Sequence, residues 1–424
     1  MSPPVRFSRL GDWLEWQQSA HPRAIDLGLE RVARVLQRTG WGGARQPVIT
    51  VGGTNAKGSC VALLDALLRA GGYRVGTFTS PHLVDYRERI SIDGEWASDA
   101  SLIAAFERIA DALGDDSLTF FEFNTLAALL VFETAAPDAI VLEVGLGGRL
   151  DAVNVVDPDV AVVVSVGLDH MDWLGPDVES IGREKAGIFR AGRAAICGMP
   201  APPESLVEVA HARGARLQLR GRDFRADERG DGSWNYRDAR GALTALPAPA
   251  LEGVAQIGNA ATALAAARQL TTQLPLSRAA IERGLRAVSL PGRFQRIVGA
   301  GGVEWVFDVA HNPDAAAILA ANLARHPARG RTFAVCGMLA DKDVAAVISA
   351  LRGSIGTWFA AALDGPRGLS DAALASQAAR VGITMTRGGA VREAMQLASR
   401  VARAGDRIVV FGSFHTVGPA LSCV

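Results

Sequence analysis

The stretch that most constrains the fold of this 424-residue chain is Val48-Ile-Thr-Val-Gly-Gly-Thr-Asn-Ala-Lys-Gly-Ser59, an apolar β-branched run passing into a glycine-rich loop that carries a lysine and ends in a hydroxyl. Residues 48–51 suit a strand buried on both faces, the kind a parallel sheet requires. Residues 60–70 read as a helix closed by Gly71-Gly72, so the loop sits at a helix N-terminus. Backbone N–H groups there lack intrahelical partners and the macrodipole adds partial positive charge, which together select an anion. A lysine supplies a point charge for the outer phosphates of a nucleotide, and a serine can ligate magnesium. The order Lys57-Gly58-Ser59 departs from the strict Gly-x4-Gly-Lys-Ser/Thr pattern, so an ordinary strand-to-helix turn is the competing reading of the loop alone.

The length suggests two or three domains. Lys plus Arg and Asp plus Glu both number 44, and the zero net charge gives no electrostatic argument for nucleic acid or an anionic membrane. Cys60, Cys197, Cys336 and Cys423 form no Cys-x-x-Cys pair, which implies free thiols in a reducing compartment and argues against zinc. Residues 1–11 lack the blocks of a signal peptide, and no apolar run approaches the ~18 residues of a membrane span. The expected location is the cytoplasm.

Residues 12–38 carry apolar positions at Trp13, Leu14, Ile25, Leu27, Leu29, Val32 and Val35, and Pro22 splits them into two helical pieces. On pattern alone, Asp26-Leu27-Gly28 is only the start of the second piece. Residues 74–80 form another short strand, broken at Pro81, which puts Ser80 at a strand's carboxyl end, where open α/β sheets place their ligands. A hairpin is expected over residues 89–96 around Asp93-Gly94, then an amphipathic helix over 100–113. Thr119-Phe-Phe-Glu-Phe-Asn-Thr125 leads into an apolar helix, and its aromatics read as core.

Ile140-Val-Leu-Glu-Val-Gly-Leu-Gly-Gly-Arg-Leu-Asp151 is the second strong feature. Glu143 interrupts a buried strand, and a carboxylate there is costly unless it meets a cation or a partner, so it reads as functional. Residues 160–166 make a further buried strand, and Gly167-Leu-Asp-His-Met-Asp-Trp-Leu-Gly175 leaves its end with Asp169, His170 and Asp172. Ser80, Glu143 and His170 thus lie at or near three predicted strand ends, beside the loop that holds Lys57. Oxygen ligands with an occasional imidazole suit magnesium, which binds through a few protein groups plus substrate phosphates. A dinucleotide fold would want Gly-x-Gly-x-x-Gly here, which Gly52-Gly53-Thr54-Asn55-Ala56-Lys57 does not supply. ATP chemistry follows more naturally than hydride transfer.

Farther on, residues 181–189 read as a helix or helix end whose Arg183-Glu184-Lys185 is by default a solvated charged face. A strand over 194–198 and a helix over 206–214 continue the alternation of a parallel α/β protein. The charge-rich residues 220–244, with Asp231-Gly232 and the aromatics Phe224, Trp234 and Tyr236, are expected to form a β-hairpin appended to the sheet. Helices follow over 259–267 and 278–286, and Pro291-Gly292 marks a boundary between domains of residues 1–291 and 292–424. Beyond it a second α/β series has strands over 303–307, 332–336 and 408–411, with Asp308 and Ala310-His311-Asn312-Pro313 after the first and Gly412-Ser413-Phe414-His415 after the last. The expected fold class is α/β: an N-terminal P-loop-type, mostly parallel sheet flanked by helices, plus a smaller Rossmann-like C-terminal domain.

The sequence resembles the bacterial dihydrofolate synthase/folylpolyglutamate synthase family, within the Mur ligase superfamily of ATP-dependent amide-bond-forming enzymes. Nine blocks carry the resemblance in order along nearly the whole chain: Ile25-Asp-Leu-Gly-Leu-Glu-Arg-Val32, Gly53-Thr-Asn-Ala-Lys-Gly-Ser59, Ser80-Pro-His-Leu83, Leu142-Glu-Val-Gly-Leu-Gly-Gly-Arg-Leu-Asp151, Leu168-Asp-His-Met-Asp-Trp-Leu-Gly-Pro176, Ser180-Ile-Gly-Arg-Glu-Lys-Ala-Gly-Ile-Phe189, Pro291-Gly-Arg-Phe-Gln295, Phe307-Asp-Val-Ala-His-Asn-Pro313 and Gly412-Ser-Phe-His-Thr416.

The resemblance implies that Thr54, Asn55, Ala56, Lys57, Gly58 and Ser59 hold the phosphates of ATP, and that Ser59, Ser80, Glu143 and His170 ligate magnesium. Lys185 corresponds to the lysine carbamylated in this superfamily, where the added anionic oxygens help hold a second magnesium. Lys57, His170 and Lys185 are thereby the expected catalytic residues. Asn259, Arg293, Asp308 and His311 correspond to nucleotide-contacting positions. Asp26, Leu27 and Gly28, with Phe121, Glu122 and Phe123 and with Leu150 and Asp151, match segments that hold a pterin. The implied reaction forms an acyl phosphate from ATP and a substrate carboxylate, which the α-amine of L-glutamate then attacks. The expected acceptors are 7,8-dihydropteroate and folates, with closure about Pro291 assembling the site. A monovalent cation is an additional expected ion, the partners are these small molecules with no nucleic acid and no membrane, and the expected state is a monomer. Ala56 stands where the family often has glycine, which limits positive φ without removing a donor. Alternatives are a monofunctional member; another Mur-type ligase, disfavoured by the pterin segments; a nucleotide-binding regulatory module, disfavoured by the metal set with Lys57 and Lys185; and an NAD-dependent dehydrogenase.

Overall fold

Every residue of strand β1 (Val48–Gly52) is buried. It lies inside a sheet whose other strands, in chain order, are β2 (Val75–Phe78), β3 (Ile90–Ile92), β4 (Glu95–Trp96), β5 (Ala139–Glu143), β6 (Val160–Val163), β7 (Ala194–Cys197) and β8 (Arg216–Leu219). Their spatial order is β4-β3-β2-β5-β1-β6-β7-β8. All neighbours pair in parallel except β2 with β3 and β3 with β4. Helix α1 (Leu10–Ser19) and helix α2 (Glu30–Arg38) precede the sheet, and α3 (Lys57–Ala70), α4 (Asp99–Ala112) and α5 (Phe120–Ala135) connect its first strands. Because β1 is flanked by β5 on one side and β6 on the other, the chain reverses its direction of sheet growth at β1, and the crevice beyond those carboxyl ends is where an α/β sheet binds ligand.

The computed structural model describes residues 6–424, and the chain divides into two compact units. The first comprises residues up to Pro81, Arg87–Pro249 and Ile257–Val288; the second comprises His82–Tyr86, Ala250–Gln256 and Ser289–Val424. The second unit contains a six-stranded sheet of β12 (Gln295–Val298), β13 (Glu304–Asp308), β14 (Thr332–Cys336), β15 (Thr357–Ala362), β16 (Met385–Ala390) and β17 (Arg407–Phe411), ordered β12-β13-β17-β14-β15-β16. Only β12 is antiparallel to its neighbour. Apolar clusters cover both faces, and Leu83 packs against the one containing Val309 and Val417. Gly418 makes this possible, since a Cβ there would fall 1.9 Å from the Leu83 carbonyl oxygen.

The α/β class with a P-loop-type parallel sheet and a separate smaller α/β unit is as expected. Residues 220–244 differ: they belong to an independent three-stranded antiparallel sheet of β9 (Arg225–Glu228), β10 (Trp234–Asp238) and β11 (Gly241–Leu246), and β8 is the strand that extends the main sheet. The aromatics explain the third strand. Trp234 and Tyr236 are fully buried, and β11 brings buried Leu246 opposite Trp234, cover that a two-stranded hairpin lacks. Cys60, Cys197, Cys336 and Cys423 are free thiols. No helix among the described residues is long and apolar enough to cross a membrane.

Candidate active site

The glycine-rich loop joins β1 to α3 by a tight path. Gly53 has φ 152°, and a Cβ on it would lie 3.2 Å from the Ser165 nitrogen, so glycine is required for the chain to pass the end of β6. Ala56 follows in the left-handed region, at φ 64° and ψ 11°, and caps α3 with no side-chain hydrogen bond to the first turn. No side chain of the cap thus occupies the N-terminus of this fourteen-residue helix, a position that favours an anion. Ser59 is buried within that turn. The half-buried Lys57 folds back, its Nζ donating to the carbonyls of Gly53 (3.0 Å) and Thr54 (3.3 Å). These are exchangeable neutral contacts that a phosphate oxygen can replace.

Parallel register brings Glu143 and the segment after β2 level with the end of β1. Val51 is opposite Glu143, Gly52 opposite Val163, and Phe78 opposite Leu142, so four strand ends finish level with one another. Glu143 is 5% exposed, and one of its oxygens accepts the Ser80 N–H at 3.2 Å, which ties the end of β5 to the segment after β2. His170 is held at φ 52°, its N–H donating to Asp169 Oδ1 at 2.9 Å, as the cap of α6 (Met171–Leu174). Among the described residues no three His, Cys, Asp or Glu side chains form a metal-holding group. The expected set contains only Glu143 and His170 of those types, with Ser59 and Ser80 contributing hydroxyls. This hard, oxygen-rich but incomplete donor set fits magnesium, whose remaining positions go to water and phosphate.

Lys185 ends helix α7 (Val178–Lys185), and it is not on a solvated face: it is 3% exposed. The 3-10 turn Ala186–Ile188 that follows is wholly buried and carries the lysine inward with it. Burial pushes its amine down to about 7, with nearby Lys57 adding to the effect and Asp169 and Asp151 opposing it. Asp151 is itself buried, accepting N–H bonds from Leu146 (2.8 Å) and Val153 (3.0 Å), and desolvation pushes it up to about 7 against those bonds and Lys57. Leu150, beside it, is half-buried.

The Asp26 segment is an extended loop before α2, anchored by ionic contacts. Arg31 Nη1 donates to Asp26 Oδ2 (2.8 Å), and its Nη2 to the Asp26 carbonyl (3.1 Å) and to Glu122 Oε1 (2.6 Å). Glu122 Oε2 accepts the Thr119 N–H (2.7 Å) in a capping box that starts α5. His21 Nε2 lies 3.1 Å from Asp26 Oδ2 while its Nδ1 meets Ser117 Oγ at 2.8 Å. The Arg31 guanidinium holds Asp26 below the usual carboxylate range. Leu27, Gly28 and Phe121 are half-buried, whereas Phe123 is 1% exposed and sits among Trp13, Trp16 and Phe106. Asn259 is buried on the helix Gln256–Ala267 of the same unit.

In the second unit, Asp308 ends β13 and accepts N–H bonds from Phe294 (2.9 Å) and Ala310 (2.8 Å). Desolvation pushes its carboxyl above the usual carboxylate range, opposed first by Arg293. Arg293 lies over the Phe414 ring at 5.0 Å. His311 Nδ1 donates to the Val309 carbonyl at 2.9 Å, which leaves Nε2 as the acceptor in the neutral ring. Asn312 caps the helix Pro313–Arg325.

Sequence reading missed three supporting residues: Ser165, which bonds the phosphate loop, and His21 and Arg31, which fix Asp26. A serine, a lone histidine and a helical arginine give no pattern that would single them out; only their proximity in space does.

Comparison with known proteins finds relatives along nearly the whole chain. Residues 292–414 match the family described as Mur ligase, glutamate ligase domain. The dihydrofolate synthase/folylpolyglutamate synthase of Escherichia coli strain K12 is 45% identical over 421 residues, covering 99% of this chain and 97% of that protein. The solved structure of E. coli FolC in complex with DHPP and ADP superposes with a TM-score of 0.93 at 44% identity, covering 99% of this chain and 98% of the other. A bifunctional folylpolyglutamate synthase/dihydrofolate synthase with Mn, AMPPNP and L-glutamate bound superposes with a TM-score of 0.90 at 42% identity, covering 99% of both chains.

Proposed function

Since the chain belongs to the dihydrofolate synthase/folylpolyglutamate synthase family, we propose that it is an ATP-dependent ligase that adds L-glutamate to 7,8-dihydropteroate and further glutamates to folates. The observation that carries this reading is the left-handed phosphate loop beside Glu143, brought together by the β1–β5 register. The first-turn amides of α3 and the ammonium of Lys57, released from the Gly53 and Thr54 carbonyls, hold the β- and γ-phosphates of ATP. Ser59, Ser80, Glu143 and His170 hold magnesium, which when bound neutralises phosphate charge. Lys185, buried near Lys57, Asp151 and Asp169, is the carbamylation site.

Asp26, Leu27 and Gly28, with Phe121, Glu122 and Phe123 and with Leu150 and Asp151, position the pterin, Phe121 offering a half-buried ring backed by Phe78 at 5.8 Å. Asn259, Arg293, Asp308 and His311 contact the nucleotide. The carboxylate of the acceptor attacks the γ-phosphorus, the bond to ADP breaks, and the α-amine of glutamate displaces phosphate from the acyl phosphate with loss of a proton. Catalysis is mainly positioning and charge neutralisation. The enzyme works as a cytoplasmic monomer. The test is release of ADP in the presence of magnesium: it must require dihydropteroate and glutamate together, and release that ignores either one defeats the reading. Turnover on tetrahydrofolate in the same assay measures the second activity.

A further inference from the structure

The phosphate loop is held from outside by the segment after β6. The Ser165 hydroxyl donates to the Asn55 carbonyl and accepts the Asn55 N–H, both at 2.9 Å. The Ser165 carbonyl accepts the Thr54 N–H at 2.8 Å. Thr54 Oγ1 in turn donates to the Gly167 carbonyl at 3.1 Å and accepts the Gly167 N–H at 3.0 Å. The residue after this double-sided clamp is Ala56, at φ 64°, a conformation that an L-residue with a Cβ adopts only under constraint. Glycine would take it freely. The peptide between Asn55 and Ala56 decides which way the first amide of the anion site faces.

We infer that Ser165 is a positioning residue for the nucleotide: by fixing the backbone N–H and carbonyl of Asn55 it keeps Ala56 left-handed and the loop competent to bind phosphate. Without the hydroxyl, the strain at Ala56 draws the loop into other conformers, and apparent affinity falls in proportion to the competent fraction that remains. The inference rests on the nucleotide role proposed above and adds to it a coupling between two residues 109 positions apart in the sequence, neither of which bears charge.

The test is equilibrium binding of ADP with magnesium, by calorimetry, to the full chain in four forms: wild type, Ser165→Ala, Ala56→Gly and the double variant. Loss of two neutral hydrogen bonds should weaken ADP binding about tenfold in Ser165→Ala. The Michaelis constant for dihydropteroate and the melting temperature without nucleotide should stay close to wild type. Ala56→Gly should improve ADP binding by about threefold or more in the Ser165→Ala background, and by clearly less in the wild type. Wild-type affinity in Ser165→Ala overturns the inference. So does an equal gain from Ala56→Gly in both backgrounds, or a loss that affects dihydropteroate and ADP alike. If the wild type itself binds no ADP, the nucleotide reading of the site fails with it.

Discussion

Arg31 offers the sharpest test of the pterin role proposed for the Asp26 loop against the nucleotide role proposed for the loop after β1. Replacing it with methionine keeps an apolar stem but deletes the guanidinium that bonds Asp26 twice and Glu122 once. Two effects follow. Glu122, 4% exposed, keeps only the Thr119 N–H of its two bonding partners, and the loss of one member of a buried pair costs about 3 kcal/mol of stability. Asp26 also loses charge-assisted bonds that fix its loop, worth about 2 kcal/mol, which if expressed in substrate binding is about a 30-fold rise in the Michaelis constant for dihydropteroate. The Michaelis constant for ATP should not move, because Arg31 touches no part of the phosphate loop. Steady-state ADP release with each substrate varied reads both constants, and urea unfolding reads stability. Adding Glu122→Gln to Arg31→Met neutralises the stranded carboxylate and should recover most of the stability but little of the dihydropteroate effect. A Michaelis constant for dihydropteroate within twofold of wild type, or a parallel rise for ATP, would refute the assignment of this loop to the pterin.

Lys57→Ala should lower turnover by about 10³-fold, from the loss of a cation on the transferring phosphoryl group, with an unchanged circular dichroism spectrum; near-full activity would sink its role. Glu143→Gln preserves shape and removes the charge that attracts magnesium, so half-saturation by magnesium in the ADP-release assay should rise about tenfold or more, and an unchanged requirement would exclude Glu143 as a ligand. Asp65, on α3, has a buried oxygen with no hydrogen-bond partner, and burial pushes its carboxyl up to about 6. With the folded value above the unfolded one, the folded state binds the proton more tightly, so this group's contribution to stability is complete below about pH 4 and is lost as pH rises through about 6. Asp65→Asn should therefore gain stability relative to wild type by about 2 kcal/mol on going from pH 4.5 to pH 7.5 in urea unfolding, and a constant difference across that range contradicts the burial argument.

What was legible in the sequence was what is local. The run from Val48 to Ser59 announces strand, loop and helix because burial, glycine geometry and helix start are each decided within a few residues. Glu143 was legible for a related reason: a carboxylate in an apolar strand is an anomaly visible without any neighbour. Lys185 was not legible from charge pattern, since whether Arg183-Glu184-Lys185 faces water depends on the buried turn that follows it, and only the family resemblance singled it out. The strand Gln295–Val298 was missed because its residues alternate between half-buried and exposed at a sheet edge, with little apolar signal. Ser165, His21 and Arg31 act through bonds to residues that no sequence period connects to them.

The membership of residues His82–Tyr86 in the C-terminal unit has an evolutionary consequence. Recombination between related ligases could exchange a terminal domain in one crossover only if all of that domain's structure lay downstream of the break. Here a crossover before Ser289 would import a new Val417 and Gly418 while retaining the recipient's Leu83, the very residue whose carbonyl lies too close to position 418 to admit any side chain there. Exchange of acceptor or amino-acid preference by domain shuffling is therefore penalised unless residues His82–Tyr86 and Ala250–Gln256 travel too, and substitutions near Leu83 and Gly418 should be inherited as a linked pair.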